Sequence, residues 1–304
     1  GAESGKEFNF GIVTNGTLLD DRIIEFLKEK KFSVVVSFDG PQEVQDTHRP
    51  FKKGDASSFE HLLPRVKKLL AAMPKTSARA TLYGDTDPKA VVQAIRDAGF
   101  PGYYLVEAAR SAYDRPEQAP EFAASSRRMA EYAQWEAKEI LGAIKARDRQ
   151  RVLENKTSVF SYTITLLSQS RKCHSCGIGK AYVVVSTRGE IYPCHGFVDM
   201  PKYQIGHIES PLLRRNEYLK SPITDPASAC SKCWARNLCG GGCKVDHFGA
   251  SGSMFEPNET SCNSIRSRVE TAIDLRCRLD DADVSWLQDQ GIVPKPRFTL
   301  DFIK

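Results

Sequence analysis

The first 172 residues of this 304-residue chain contain no cysteine, although nine cysteines follow. Any thiolate chemistry therefore belongs to the second part. Long apolar runs are also missing, the longest strand-like piece being Phe32 to Phe38. A bilayer span needs roughly 18 such residues, so no membrane partner is expected. Nothing at the N-terminus reads as a signal peptide, and an odd cysteine count in so long a chain makes a poor disulfide framework. Reduced thiols in a cytoplasmic protein are the expectation. A dense basic stripe is missing too. The formal charge is +5, and the loose cluster Lys145, Arg147, Arg149 and Arg151 reads as a solvated helix face, so no nucleic-acid partner is expected. The 41% hydrophobic and 27% charged residues match an ordinary globular protein.

What the chain does hold is a run of four thiols, Cys230, Cys233, Cys239 and Cys243, with Gly240, Gly241 and Gly242 between the last two. A structural cysteine packs as a small hydrophobe and needs no fixed spacing, whereas thiolates this close can converge on metal. The glycines lack Cβ, so the backbone can wrap closely around an inorganic core and leave amide groups pointing at sulfur. Cys173, Cys176 and Cys194 stand upstream, and Cys262 and Cys277 downstream. Cys277 falls on an expected helix apart from the rest and reads as a bystander. Two four-thiolate zinc sites and iron–sulfur clusters both fit these residues.

The N-terminal part alternates strands and helices. Phe8 to Val13 is a strand, Thr14 to Thr17 a loop, and Asp20 and Asp21 open a helix. Phe32 to Ser37, Ser77 to Tyr83 and Tyr103 to Val106 are further strands, and helices are expected from Ser57 or Ser58 to about Ala72 and from Pro88 to Ala98. This predicts an α/β class with a parallel sheet, either doubly wound or a (β/α) barrel. In both, the strand C-terminal ends carry the chemistry, which puts Thr14 to Gly16, Ser37 to Gly40, Tyr83 and Glu107 at the working rim. Pro116 to about Arg151 predicts one long amphipathic helix, with a possible break near Gly142, and Asn155 to Ser168 another. Ala181 to Ser186 and Glu190 to Pro193 form a β-hairpin around Gly189 that delivers Cys194. Val269 to Leu279 is read as helix, and Val293 to Lys304 as strand or extended chain.

Cys176, Gly189, Cys194, Cys230, Cys233, Cys239, Cys243 and Cys262 together resemble the seven-cysteine signature of the SPASM domain, the C-terminal extension of a group of radical S-adenosylmethionine (AdoMet) enzymes. Thr14 to Thr17 and Ser37 to Pro41, with Asp46, His48 and Arg49 behind them, resemble strand-end motifs of the radical AdoMet partial barrel. The resemblance implies the later part of a TIM-like partial barrel over 1–115, a helical linker over 116–170, an auxiliary-cluster domain over 171–265, and a C-terminal helix and tail over 266–304. The family's CxxxCxxC loop is absent, as are the two strands that would precede the first one here. Truncation accounts for this, and these residues alone are not expected to cleave AdoMet.

The resemblance further implies two auxiliary [4Fe-4S] clusters, the first on Cys173, Cys176, Cys194 and Cys243 and the second on Cys230, Cys233, Cys239 and Cys262. AdoMet and a third cluster belong to the complete enzyme, with Asn15, Ser37 and Asp39 lining the AdoMet site. His195 stands where related sulfatase maturases carry a basic aspartate, which makes it the candidate catalytic base. The expected activity is maturation of a ribosomally made peptide or protein by thioether or carbon–carbon cross-linking, with an external electron donor. The alternatives are sulfatase-maturase-like formylglycine formation and a noncatalytic iron–sulfur module that binds peptide or relays electrons.

Overall fold

The computed structural model describes residues 5, 7–108, 119–154, 159–210, 218 and 220–295. Its first layer is a four-stranded parallel sheet of β1 (Gly11–Thr14), β2 (Ser33–Ser37), β3 (Ser77–Leu82) and β4 (Tyr103–Glu107), paired in chain order. No strand reverses that order, so the right-handed crossovers stack their helices on one side. Those helices are α1 (Asp21–Glu29), α3 (Ser58–Ala72) and α4 (Pro88–Asp97). Each starts on a side-chain cap: Asp20 accepts from the Ile23 amide at 2.7 Å, Ser57 from Glu60 at 3.1 Å and Asp87 from Lys89 at 3.0 Å. Val34, Val36, Ala78, Ala80, Leu82 and Leu105 face these helices and form the core with Leu62, Leu69, Val92 and Ile95.

The segment after β2 is not the plain loop read from the sequence. It contains a short helix, α2 (Gln42–His48), whose Gln45 is buried and accepts from the Asp39 amide at 2.8 Å. Seven residues are too few for helical periodicity to show. The long helix α5 (Ala119–Lys145) ends three residues past Gly142, not at it, and α6 (Arg149–Glu154) follows. Arg147 takes φ 58° there, and the Asp148 carboxylate accepts from the Arg151 amide at 3.0 Å, so a new cap replaces the continuous helix. Residues 116–118 and 155–158 of the expected helices lie outside the described residues. α7 (Val159–Leu167) joins α5, α6 and the C-terminal helices in a second apolar core around Ile144, Val152, Phe160 and Leu275.

The expected hairpin is present but short: β5 (Val184–Val185) pairs with β6 (Glu190–Tyr192), and β7 (Gly206–His207) adds a third antiparallel strand. α8 (Arg236–Cys239) and α9 (Lys244–Ser251) lie within the cysteine-rich stretch. α10 (Glu259–Cys277) starts ten residues before the expected helix, runs through the expected 265/266 boundary, and lies along α5 and α7. Its mixed sequence has little amphipathic contrast, which hid its first turns. α11 (Asp281–Asp289) follows behind an Asp280–Asp283 capping box. Val293 to Lys295 form no strand, and residues 296–304 lie outside the described residues. No helix among the described residues is long and apolar enough to cross a membrane.

Candidate functional site

Because Val34, Val36, Ala78 and Ala80 face the helices, strand alternation turns Val35, Ser37, Arg79, Thr81 and Tyr104 to the opposite, open face. Ser37 is paired in register with Arg79, and Arg79 with Tyr104. Asn15 lies exposed beyond β1 with its Oδ1 accepting from the Thr17 amide at 3.2 Å and the Thr17 hydroxyl at 3.0 Å. Asp39 is 1% exposed. Its carboxylate accepts from Arg49 Nε at 2.7 Å, Arg49 Nη2 at 3.1 Å and the Thr81 amide at 2.9 Å. Those bonds make Asp39 a latch between β2, β3 and α2. Of the three residues expected beside AdoMet, Ser37 is thus on the open face, Asn15 stands at a strand end, and Asp39 is internal.

Glu107 turns to the helix layer. It accepts from Ser126 of α5 at 2.8 Å, Ser264 of α10 at 3.0 Å and Arg268 Nη2 at 2.9 Å. Cys262 lies on the first turn of the same α10, so Glu107 ties the carboxyl edge of the sheet to a thiol-bearing helix. The sequence marked Glu107 as a rim residue but gave no sign of Ser264 or Arg268.

The thiols fall into two sets. Burial raises the Cys194 and Cys243 thiols, and nearby Cys176 raises both further. In the other set, burial raises Cys230, with Cys239 and Cys233 adding to it, and pushes Cys262 up to about 12, with Cys239 and Cys230 contributing. Cys230, Cys233, Cys239 and Cys262 line one cavity of about 70 Å³. That is room for more than one water-sized body. Among the described residues no three His, Cys, Asp or Glu side chains close to the spacing of a single-ion site. The donor set therefore fits a polynuclear cluster better than one tetrahedral zinc. Cys173 is exposed, its carbonyl accepting from the Ser221 hydroxyl, and Cys277 is exposed at the end of α10.

The three glycines adopt φ of 76°, 97° and 69°. A Cβ on Gly240 would stand 2.5 Å from the His174 carbonyl carbon, and one on Gly242 2.5 Å from His247 Nε2. The cradle therefore requires glycine there. Lys244, which sequence reasoning passed over, is buried with Nζ 4.8 Å from the centre of the Phe255 ring. Burial lowers its pKa, while Cys176 of one set and Cys230 of the other oppose that, so Lys244 stands between them. Adjacency to Cys243 was its only sequence signal. His195 Nδ1 lies 3.2 Å from the Tyr182 hydroxyl and 3.7 Å from Cys194 Sγ. Tyr182 also senses Arg79, which brings the hairpin region over the open face of the sheet.

No protein-family profile matches the chain. It is 24% identical over 284 residues to a cysteine-type anaerobic sulfatase-maturating enzyme of Clostridium perfringens, covering 85% of this chain and 70% of the relative. A serine-type anaerobic sulfatase-maturating enzyme of Bacteroides thetaiotaomicron is 47% identical over 53 residues, covering 17% of this chain and 13% of the relative. Among solved structures, native anSMEcpe with bound AdoMet superposes with a TM-score of 0.73 at 18% identity, over 95% of this chain and 77% of the other. The mixed α/β fold with a parallel sheet is thus shared with radical SAM neighbours.

Proposed function

We propose that this chain, whose relatives are radical SAM/SPASM maturases, belongs to an enzyme that modifies a peptide or protein using AdoMet and iron–sulfur clusters. The observation that carries the reading is the sorting of seven thiols into two neighbouring sets behind the carboxyl edge of a parallel sheet. Cys176, Cys194 and Cys243, with Cys173 as fourth ligand, would hold one [4Fe-4S] cluster, and Cys230, Cys233, Cys239 and Cys262 the other. Bound AdoMet and clusters would supply one-electron chemistry at an unreactive carbon. The chain's own residues position the reactants: Ser37 and Asn15 offer polar groups at the strand ends, and Asp39 fixes the loop between them. With Nδ1–H donating to the Tyr182 oxygen, His195 presents Nε2 as proton acceptor. A peptide substrate is supported by the anSMEcpe structure that contains AdoMet and the Cp18Cys peptide, at a TM-score of 0.71.

Cross-linking, by a thioether or carbon–carbon bond, is the preferred outcome, because His195 replaces the acid that formylglycine formation would use. The names of the relatives favour formylglycine formation as the second reading. Anaerobic reconstitution should give a brown protein with about eight iron and eight sulfide per chain, as two four-iron clusters require. Stoichiometric zinc without sulfide would overturn the proposal. With a candidate substrate peptide, mass spectrometry separates the outcomes: loss of two hydrogens marks a cross-link, and exchange of cysteine sulfur for aldehyde oxygen marks formylglycine.

A further inference from the structure

Arg79 is the feature that the thiol chemistry leaves unexplained. It lies on β3 between Ser37 and Tyr104, and its neighbours Ala78 and Ala80 are fully buried on the helix side. Its side chain therefore points to the open face, where it is half-buried. Among the described residues it makes no hydrogen bond or ion pair. Other arginines as well covered each grip a carboxylate: Arg49 holds Asp39 at 2.7 Å, Arg96 holds Glu154 at 2.6 Å and Arg268 holds Glu107 at 2.9 Å. A guanidinium withdrawn from water without a partner is costly, and this chain pairs the others. Across the gap stand Tyr182 and His195, joined at 3.2 Å, with Tyr182 44% exposed.

We infer that Arg79 anchors a carboxylate of a ligand lying between the open sheet face and the Tyr182–His195 pair. The planar guanidinium matches a carboxylate through two parallel N–H bonds, and the Ser37 hydroxyl beside it is a further donor. The carboxylate could come from the amino-acid end of AdoMet or from an acidic side chain of the peptide. Those two sources rest on the proposed function, whereas the anion site rests on Arg79 itself.

Two ligand pairs test this by anaerobic calorimetry at low ionic strength. One pair is S-adenosylhomocysteine and 5′-methylthioadenosine, which lacks the carboxylate; the other is an alanine-based pentapeptide with a central glutamate and its glutamine counterpart. The carboxylate member of one pair should bind roughly tenfold to hundredfold tighter to the native chain. Arg79→Gln should erase that preference, and Arg79→Lys should restore part of it. Preference within the nucleoside pair assigns the carboxylate to AdoMet, and preference within the peptide pair assigns it to substrate. If the native chain prefers neither member of either pair, or if the preference survives Arg79→Gln, the inference is wrong. Iron and sulfide content, measured on the same samples, separates this result from failure of the maturase reading.

Discussion

The sheet half and the cysteine-rich half solve the same problem by different means. Strands β1 to β4 are four to six residues long, pair in unbroken register, and bury a continuous aliphatic layer against α1, α3 and α4. In the second half, β5, β6 and β7 are only two or three residues long, and the local core is a small cluster around Tyr192, Phe197, Tyr203, Ile205 and Tyr218. Backbone pairing and apolar burial hold the first region together unaided. The second has few regular hydrogen bonds to resist opening, so bonds from thiolate to metal would carry much of its order.

The largest effect that could break this comparison is metal removal. Stripping iron and sulfide should raise amide hydrogen exchange sharply through 173–210 and 220–257, while 33–37 and 77–82 keep their protection. The converse lesion is Leu69→Ala, at a fully buried position of the sheet core. It should cost about 2–5 kcal/mol of stability, the usual range for emptying a core leucine site, and leave the iron content of the folded fraction unchanged. If both lesions melt both regions together, the two halves form a single cooperative unit.

The same contrast explains what could be read in advance. The parallel sheet was legible because β2 and β3 alternate or run apolar residues that only a covered sheet can bury, and because Asp20, Ser57 and Asp87 mark helix starts. Thiol spacing marked the metal cradle, and the glycine run marked where its backbone closes in. What stayed hidden depends on contacts far apart in sequence. Asp39 stands in a motif that suggests a ligand contact, yet its partners are Arg49 and the Thr81 amide. Glu107 could be placed at the rim, but its partners on α10 lie more than 150 residues on and leave no local pattern. Arg79 looked like any residue of a strand until its missing partner became visible against Arg49, Arg96 and Arg268.

Glu107 is where the comparison can be sharpened. Its carboxylate joins β4 to α10, and both it and Arg268 are largely shielded, at 17% and 15% side-chain exposure. Glu107→Ala should cost about 1–3 kcal/mol, the range for leaving a charged hydrogen-bond partner unsatisfied. The direction of spread is the informative part. Exchange should rise at the start of α10 and iron loss should be faster at the Cys262 set, with the Cys194 set unaffected. Uniform loss from both sets would show that Glu107 supports the fold as a whole and not this one connection. Thermal unfolding with and without chelator, alongside site-resolved iron analysis of the variant, makes the measurement.

The smallest expected effect sets the two halves against each other through pH. In the sheet half, burial pushes the Asp46 carboxyl up, but the Phe59 amide and the Ser57 and Ser58 hydroxyls outweigh it and hold the group below its ordinary value of 3.8. A depressed carboxyl stabilises the fold above the unfolded value, and that contribution is lost as pH falls through the folded one. Acid should therefore loosen the α2–α3 connection, where Asp46 accepts from the Ser58 hydroxyl at 3.0 Å and the Phe59 amide at 2.9 Å. The metal-free cysteine half should respond in the other direction. Burial pushes the Cys262 thiol from 9.0 up to about 12, so its contribution is complete below pH 9 and is lost as pH rises toward 12. Exchange at 46–60 and at 259–265, followed from acid to alkali in the metal-free chain, should show opposite slopes. Asp46→Asn should flatten only the acid limb and Cys262→Ser only the alkaline one; a common slope at both places would mean that neither group reports on its own region.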